Sequence, residues 1–455
     1  MADARAPRMQ LGVFFNHTGH HIASWRHPRA DADAHVSIEH YVRLAQTAEA
    51  AGLDFLFFAD SAATAERRPE SLRRSAQYTA YFEPLTLLSA LAMVTKRIGL
   101  VSTATTSYNE PYHVARKFAS LDHISKGRAG WNVVTSGNAA EAWNFGRDEH
   151  FEHEARYDRA REFVEVVHGL WDSWDDDAFP RDKASGVFLE PSRMHHLNHN
   201  GPHFKVRGPL NVPRPPQGYP VIFQAGTSEA GRELAAETAE AVFTSQLTVA
   251  SQKEHFDDVK ARMAKFGRRP DQMKILPGLT AVVAPTESEA REKWDFLQSL
   301  IHPQVGLDYL SMLLATDLSG LKPDDPFPAL EMHDKVSSHG MFKNVVGTAL
   351  RDKLTVRQLW ERLAGSRGKA TFIGSVAQVA DQMEHWFRAD ACDGFILQPS
   401  YAPGELDDIC TMLVPELQRR GLIRVGYEGA TLRDHLGLAR PASRWRENGD
   451  TRHFP

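Results

Sequence analysis

The chain has 455 residues, 42% of them hydrophobic and 24% charged, with a formal net charge of −5. This is ordinary globular composition with ample length for a large core, and its mild acidity and mixed charges leave no footprint for nucleic acid. Two cysteines exclude a disulfide framework, and no stretch approaches the roughly 18 unbroken apolar residues of a membrane span. Cys392 and Cys410 read as small buried apolar residues, and the N-terminus lacks a signal-peptide apolar region. The expectation is a soluble cytoplasmic protein.

Short apolar runs alternate with helical patterns along most of the chain. Residues 11–15 read as a strand, 38–51 as a helix, 55–59 as a strand ending in Asp60, and 84–94 as a helix. Residues 98–103 form a strand running into Thr105, Thr106 and Ser107, and 114–124 a helix. After a strand near 129–134, a helix extends from about 154 to 174. Residues 176–218, rich in Pro, Gly, His and Arg, read as an inserted excursion. Strands resume at 221–224, 241–244 and 275–284, with helices up to 237 and over 287–300. Residues 302–370 read as a second, largely irregular insertion, followed by a last strand at 394–397 and a last helix at 405–420.

Alternation of this kind implies a parallel sheet, and eight strands suffice to close an α/β barrel of the TIM (β/α)8 type. The chain, 1–455, thus reads as a single barrel domain with two insertions. A doubly wound open sheet is the alternative. The first strand, Leu11 to Phe15, leads into Asn16 and His17 without the Gly-x-Gly-x-x-Gly turn that such a fold uses for a dinucleotide. The sequence therefore shows no recognisable NAD(P)H site.

The segment Arg128-Ala129-Gly130-Trp131-Asn132-Val133-Val134-Thr135-Ser136-Gly137-Asn138 is the most specific signal. A buried parallel strand that ends in Thr, Ser, Gly and Asn delivers polar atoms where barrels bind ligands. With Gly127 it resembles the signature of the luciferase-like, two-component flavin-dependent monooxygenases, which include the nitrilotriacetate and dibenzothiophene-sulfone monooxygenases. Four further stretches resemble the same family. They are Glu110-Pro111-Tyr112-His113, Glu152-His153-Glu154-Ala155-Arg156-Tyr157, Pro216-Gln217-Gly218 ahead of Gln224-Ala225-Gly226, and Gly429-Ala430-Thr431-Leu432-Arg433-Asp434. The nearest likeness is to the dibenzothiophene-sulfone branch.

The resemblance implies reduced FMN supplied by a separate NAD(P)H:flavin reductase, O2 as co-substrate, and a homodimer or homotetramer. The substrate it suggests is small and apolar, an organosulfur or halogenated aromatic that is oxygenated and cleaved. An aminopolycarboxylate monooxygenase, another flavin- or deazaflavin-dependent barrel oxidoreductase, and a flavin-binding protein without turnover are the alternatives.

Ser228 follows small residues and opens a helix. It reads as an N-cap whose neighbouring N–H groups can receive a phosphate. The resemblance assigns the flavin phosphate to Ser228 and Tyr157, with His153 beside them. It sets Asp60, Thr106 and Asn132 near the flavin ring, and gives His20 or His21 the catalytic, proton-steering role. Phe14 and Phe57 become apolar walls. Leu313, where the sulfone-oxidising relatives carry a histidine, makes the pocket greasier. Gly306, Gly320 and Gly340 mark the second insertion as a lid. The N-terminal histidines and His195, His196, His199 and His203 lack a recognisable ligand set, so no metal is expected.

Overall fold

The computed structural model describes residues 8–64, 68–76, 79–332 and 339–445. Nine parallel strands form its main sheet: β1 Gln10–Phe14, β2 Phe55–Phe58, β3 Gly99–Thr105, β4 Ala129–Val134, β5 Val221–Gln224, β6 Ala241–Thr244, β7 Lys274–Ala284, β8 Ala370–Ser375 and β9 Gly394–Leu397. Eight of them close a ring in the order β1-β2-β3-β4-β5-β6-β7-β9, with β9 back on β1. The fold is the closed α/β barrel expected from the sequence.

The ninth strand, β8, departs from that expectation. Leu279 of β7 is the register partner of both Ala370 and Leu397, so β8 lies on the opposite edge of β7 from β9. It continues the β6 side beyond the point where β6 ends. Its residues alternate between buried and half-buried, a half-covered pattern unlike β9, whose residues are all buried.

Helices fill the outer layer: α1 Ile38–Ala50, α2 Pro84–Val94, α3 Pro111–Ser125, α4 His153–Trp171, α5 Glu229–Thr238, α6 Val249–Arg262 and α7 Glu287–Ser299. Side-chain caps set several starts, Ser37 on α1, Ser228 on α5 and Thr286 on α7. Inside the ring, large and small residues interlock. A β-carbon at Gly12 would meet the Phe55 ring at 2.2 Å, and one at Gly130 would meet Phe223 at 3.2 Å. Leu432, Leu436 and Leu438 of the closing segment join Phe55, Val101, Phe223 and Leu276 in this inner core. They plug the end of the barrel from which the strands start.

That lower end is densely hydrogen-bonded. Arg128, from the signature, is buried and donates to Ser125 O, Thr95 Oγ1, Ile98 O, Ala92 O and Thr95 O. It thereby satisfies carbonyls freed at and beyond the C-terminus of α2. Gln217 bridges Asp122 and Ala129 O while accepting from Arg433 N, and Arg433 donates to Glu240 and Tyr219 O. Much of the motif likeness is therefore structural.

The 176–218 excursion holds a short hairpin, His199–Asn200 with Lys205–Val206, and a 3-10 turn at Pro191–Arg193. The buried Arg214–Asp172 pair at 3.0 Å ties its end to the segment after α4. Two of its histidines meet carboxylates: His195 pairs with Asp175 and His199 with Glu162. Among the described residues no group of three or more His, Cys, Asp or Glu could hold a metal ion.

The second insertion is helical, not irregular. α8 Pro303–Leu314, α9 His339–Arg351 and α10 Val356–Ala364 build their own apolar cluster, joined by Ile22 and Ala23. Two of these helices hide a break-and-start pattern. Pro303 opens α8 after the His302 cap, and Thr355 with Gln358 forms a capping box on α10. Gly306 is a packing contact, since a β-carbon there would meet Trp360 at 2.5 Å. Gly320 stands in open space and Gly340 lies within α9. Both cysteines are buried and free, and among the described residues no helix is long and apolar enough to cross a membrane.

Candidate active site

The C-terminal ends of the barrel strands carry two groups of polar side chains. The first surrounds a cavity of about 340 Å³ lined by Val134 to Gly137, His153, Arg156, Tyr157 and Gln224 to Ser228. Ser228 Oγ accepts from Gly231 N at 3.2 Å and donates to the Tyr157 hydroxyl at 3.2 Å. The His153 and Tyr157 rings stand 5.0 Å apart. Gly226 and Gly231 are pressed together: a β-carbon on either would lie 2.8–2.9 Å from the other's Cα. No side chain separates the loop from the first turn of α5, so the helix's free N–H groups face the cavity.

Arg156, which the sequence reading did not single out, lines the same cavity. Its Nη1 donates to Ser136 O at 2.6 Å, while its Nε is buried and has no partner among the described residues. Its position one residue before Tyr157 is the signal that was there to read. Ser136 itself is left-handed, with φ 56°, and is held by its hydroxyl to Thr105 and Glu141. A non-glycine residue held there marks strain that the surrounding bonds sustain.

The second group faces the inside of the barrel mouth. Inward positions alternate along each strand. Phe14, Phe57 and Phe243 share one parity and form an aromatic wall, with Phe57 stacked on Phe243 at 6.2 Å and Phe14 edge-on to Phe57 at 5.1 Å. Asn132 continues the inward row of Gly130, Thr280 that of Leu276 and Gly278, and Gln398 that of Ile396. Asn132 Nδ2 donates to Thr103 Oγ1 at 2.8 Å, which in turn donates to Phe58 O. Asn132 Oδ1, Thr280 Oγ1 and Gln398 Nε2 are buried with no partner among the described residues. Each such group costs about 1–3 kcal/mol when left unsatisfied, so a mouth that keeps three of them is built to receive a polar ligand. Sequence reading missed Thr280 and Gln398; their signal is a polar residue at inward parity beside an apolar strand.

Asp60 lines a neighbouring cavity of about 330 Å³ with Glu83, Thr103, Thr105 and Glu141. Burial and then the nearby Glu83 raise its carboxyl to about 6. Thr105 lines this cavity, whereas Thr106 is fully buried with its hydroxyl donated to Val134 O. The two histidines also divide. His20 lies edge-on to Phe14 at 4.4 Å with Nε2 on Phe14 O at 2.9 Å, and burial holds its pKa well below the usual value. His21 is fixed elsewhere: Nδ1 accepts from Ala23 N, so Nε2 carries the proton it donates to Gln298. Burial lowers it to about 4. Leu313 packs on the insertion's own apolar cluster.

The luciferase-like monooxygenase family model matches residues 17–391. Nitrilotriacetate monooxygenase component A of Aminobacter aminovorans is 51% identical over 95% of this chain and 97% of its own. Dibenzothiophene-sulfone monooxygenase of Rhodococcus erythropolis is 40% identical over 95% and 97%. The nitrilotriacetate enzyme is thus the nearer of the two, reversing the order expected from the motifs. The crystal structure of DmoA from Hyphomicrobium sulfonivorans superposes with a TM-score of 0.85 at 32% identity, covering 94% of this chain and 92% of that one.

Proposed function

The chain belongs to the luciferase-like monooxygenase family of flavin-dependent oxidoreductases, and on that premise we propose that it is the oxygenase component of a two-component system. Reduced FMN comes from a separate NAD(P)H:flavin reductase, and O2 is the co-substrate. The observation that carries this reading is the cavity over α5, whose donors suit a phosphate monoester. Helix N–H groups, the Ser228 and Tyr157 hydroxyls and the Arg156 guanidinium converge there, and the Gly226–Gly231 contact admits close backbone approach. The unpartnered Asn132, Thr280 and Gln398 atoms suit the polar edge of a heteroaromatic ring. Bound reduced flavin supplies the two electrons that activate oxygen.

The protein's own residues bind, orient and exclude water. Phe14, Phe57 and Phe243 present an apolar face that keeps solvent from the reacting atoms and suits the apolar part of an organosulfur or halogenated substrate. His20, neutral because it is buried, can hold a proton at Nε2 toward Phe14 O. The nitrilotriacetate relative favours a second reading, oxygenation of an aminopolycarboxylate. We assign the enzyme to the cytoplasm, where its two free thiols stay reduced, and to a homodimer or homotetramer.

The test couples the purified protein to NADH, FMN and a flavin reductase. Oxygen uptake and oxygenated product by mass spectrometry are expected from a panel of sulfones, chlorinated aromatics and aminopolycarboxylates. Turnover with NADH but no reductase would overturn the two-component reading.

A further inference from the structure

Just before β8, the Lys369 ammonium has no negative group against it among the described residues. Its Nζ stands 5.5 Å from the centroid of the Phe243 ring, and its Cδ packs 3.1 Å from where a β-carbon on Gly278 would sit. Among the described residues neither hydrogen bond nor ion pair reaches that ammonium. Two other half-buried lysines are treated differently, Lys260 meeting Asp393 at 3.2 Å and Lys293 meeting Asp408 at 2.7 Å. Burial, and then the like charge of Arg367, lower Lys369 to about 8. Arg367 and Lys369 also act on His20, which lies against Phe14. The ammonium, the aromatic wall and His20 therefore share one side of the barrel mouth.

We propose that Lys369 anchors a carboxylate of the substrate, laying the rest of the molecule across Phe14, Phe57 and Phe243. An ammonium is a compact charge with three donors, suited to a single carboxylate oxygen pair. The substrate would supply the counter-charge that the fold withholds, so the burial cost already borne in the free protein turns into affinity on binding. The phosphate cradle, with its own guanidinium and helix N-terminus, lies at the ends of β4 and β5. The anchor lies beside β6 and β7, so the two anions take different places. Because it names the substrate class of that same mouth, the inference rests on the oxygenase reading above.

Calorimetry on the full chain with FMN, at pH 7, tests it with three probes: nitrilotriacetate, phenylacetate and the neutral phenylacetamide. Wild type is expected to bind at least one carboxylate. Lys369→Met should weaken that binding roughly tenfold or more, the loss of a charged hydrogen bond, and Lys369→Arg should keep most of it. Phenylacetamide should not distinguish the variants. Equal carboxylate affinity in wild type and Lys369→Met, or no carboxylate binding to wild type, overturns the anchor. Lys369→Gln replaces the Met variant should that one precipitate, and an unchanged FMN affinity certifies the fold. Failure of the oxygenase reading looks different: carboxylates bind through Lys369 while anaerobically reduced FMN does not bind.

Discussion

Arg128, which is buried, and Lys369, which is half-buried, are cations at opposite ends of one barrel. Where the strands start, Arg128 makes five hydrogen bonds and holds α2, α3 and β4 together. Where they finish, Lys369 has an aromatic face and a like charge for company. The neighbours repeat the contrast. Asp122, Gln217 and Arg433 are mutually saturated at the lower end, while Asn132, Thr280 and Gln398 keep unpartnered atoms at the mouth. His435, with both ring nitrogens unpartnered among the described residues, and Arg424 Nε are exceptions below. A barrel is stabilised at one end and left in electrostatic debt at the other, because only the mouth is completed by ligands.

The hardest test of this contrast is Arg128→Ala. It strands several buried carbonyls, and a loss of about 3–5 kcal/mol in a urea melt is expected. A loss below 1 kcal/mol would show that the lower network is not what secures the barrel. At the mouth the effects should fall on binding. Ser228→Ala with Tyr157→Phe should weaken reduced-FMN binding by about 1–3 kcal/mol in an anaerobic titration, with the melt nearly unchanged. Unaltered affinity removes both hydroxyls from the cradle.

Asp60 sharpens the comparison through pH. Its folded pKa, about 6, lies above the unfolded value, so folding favours its neutral form. That contribution is complete below about pH 4 and is lost as pH rises through 6. Asp60→Asn should therefore raise stability at pH 8 by about 1–2 kcal/mol and leave it unchanged at pH 4. Equal effects at both pH values would sever the link to ionisation.

Lys369 gives the smallest shift and the opposite window. Its folded pKa, about 8, lies below the unfolded value, so the charged form destabilises the fold below pH 8. The penalty fades between 8 and the ordinary lysine range. Lys369→Met should stabilise the ligand-free protein by about 1 kcal/mol at pH 7, a rise of a few degrees in melting temperature. A lower melting temperature would mean that the ammonium is satisfied in solution.

Legibility in the sequence followed the same division. The eight ring strands were readable because each is mostly buried and carries a short, largely apolar run between helical patterns. β8 was not, since its ATFIGS alternates and its neighbours belong to the second insertion. The helices α8 to α10 were missed for a related reason: their apolar faces meet one another, with Gly306 against Trp360, and no local repeat announces that partner. In the site, Ser228, His153 and Tyr157 were visible as motif positions, and Arg156 stood within the same motif unremarked.

The sequence by itself determined the alternation of strand and helix, the closing segment and the small-residue turn that Ser228 caps, since capping, strand burial and small-residue turns are short-range. Only the tertiary structure decided which polar side chains point inward at the mouth, that Thr105 and not Thr106 faces a cavity, and that His21 is held by Gln298 of α7. Those outcomes depend on strand register and on contacts between residues hundreds of positions apart. Lys369 belongs to this second class, because its significance comes from an aromatic ring in β6 and from having no carboxylate beside it among the described residues, which no local pattern records.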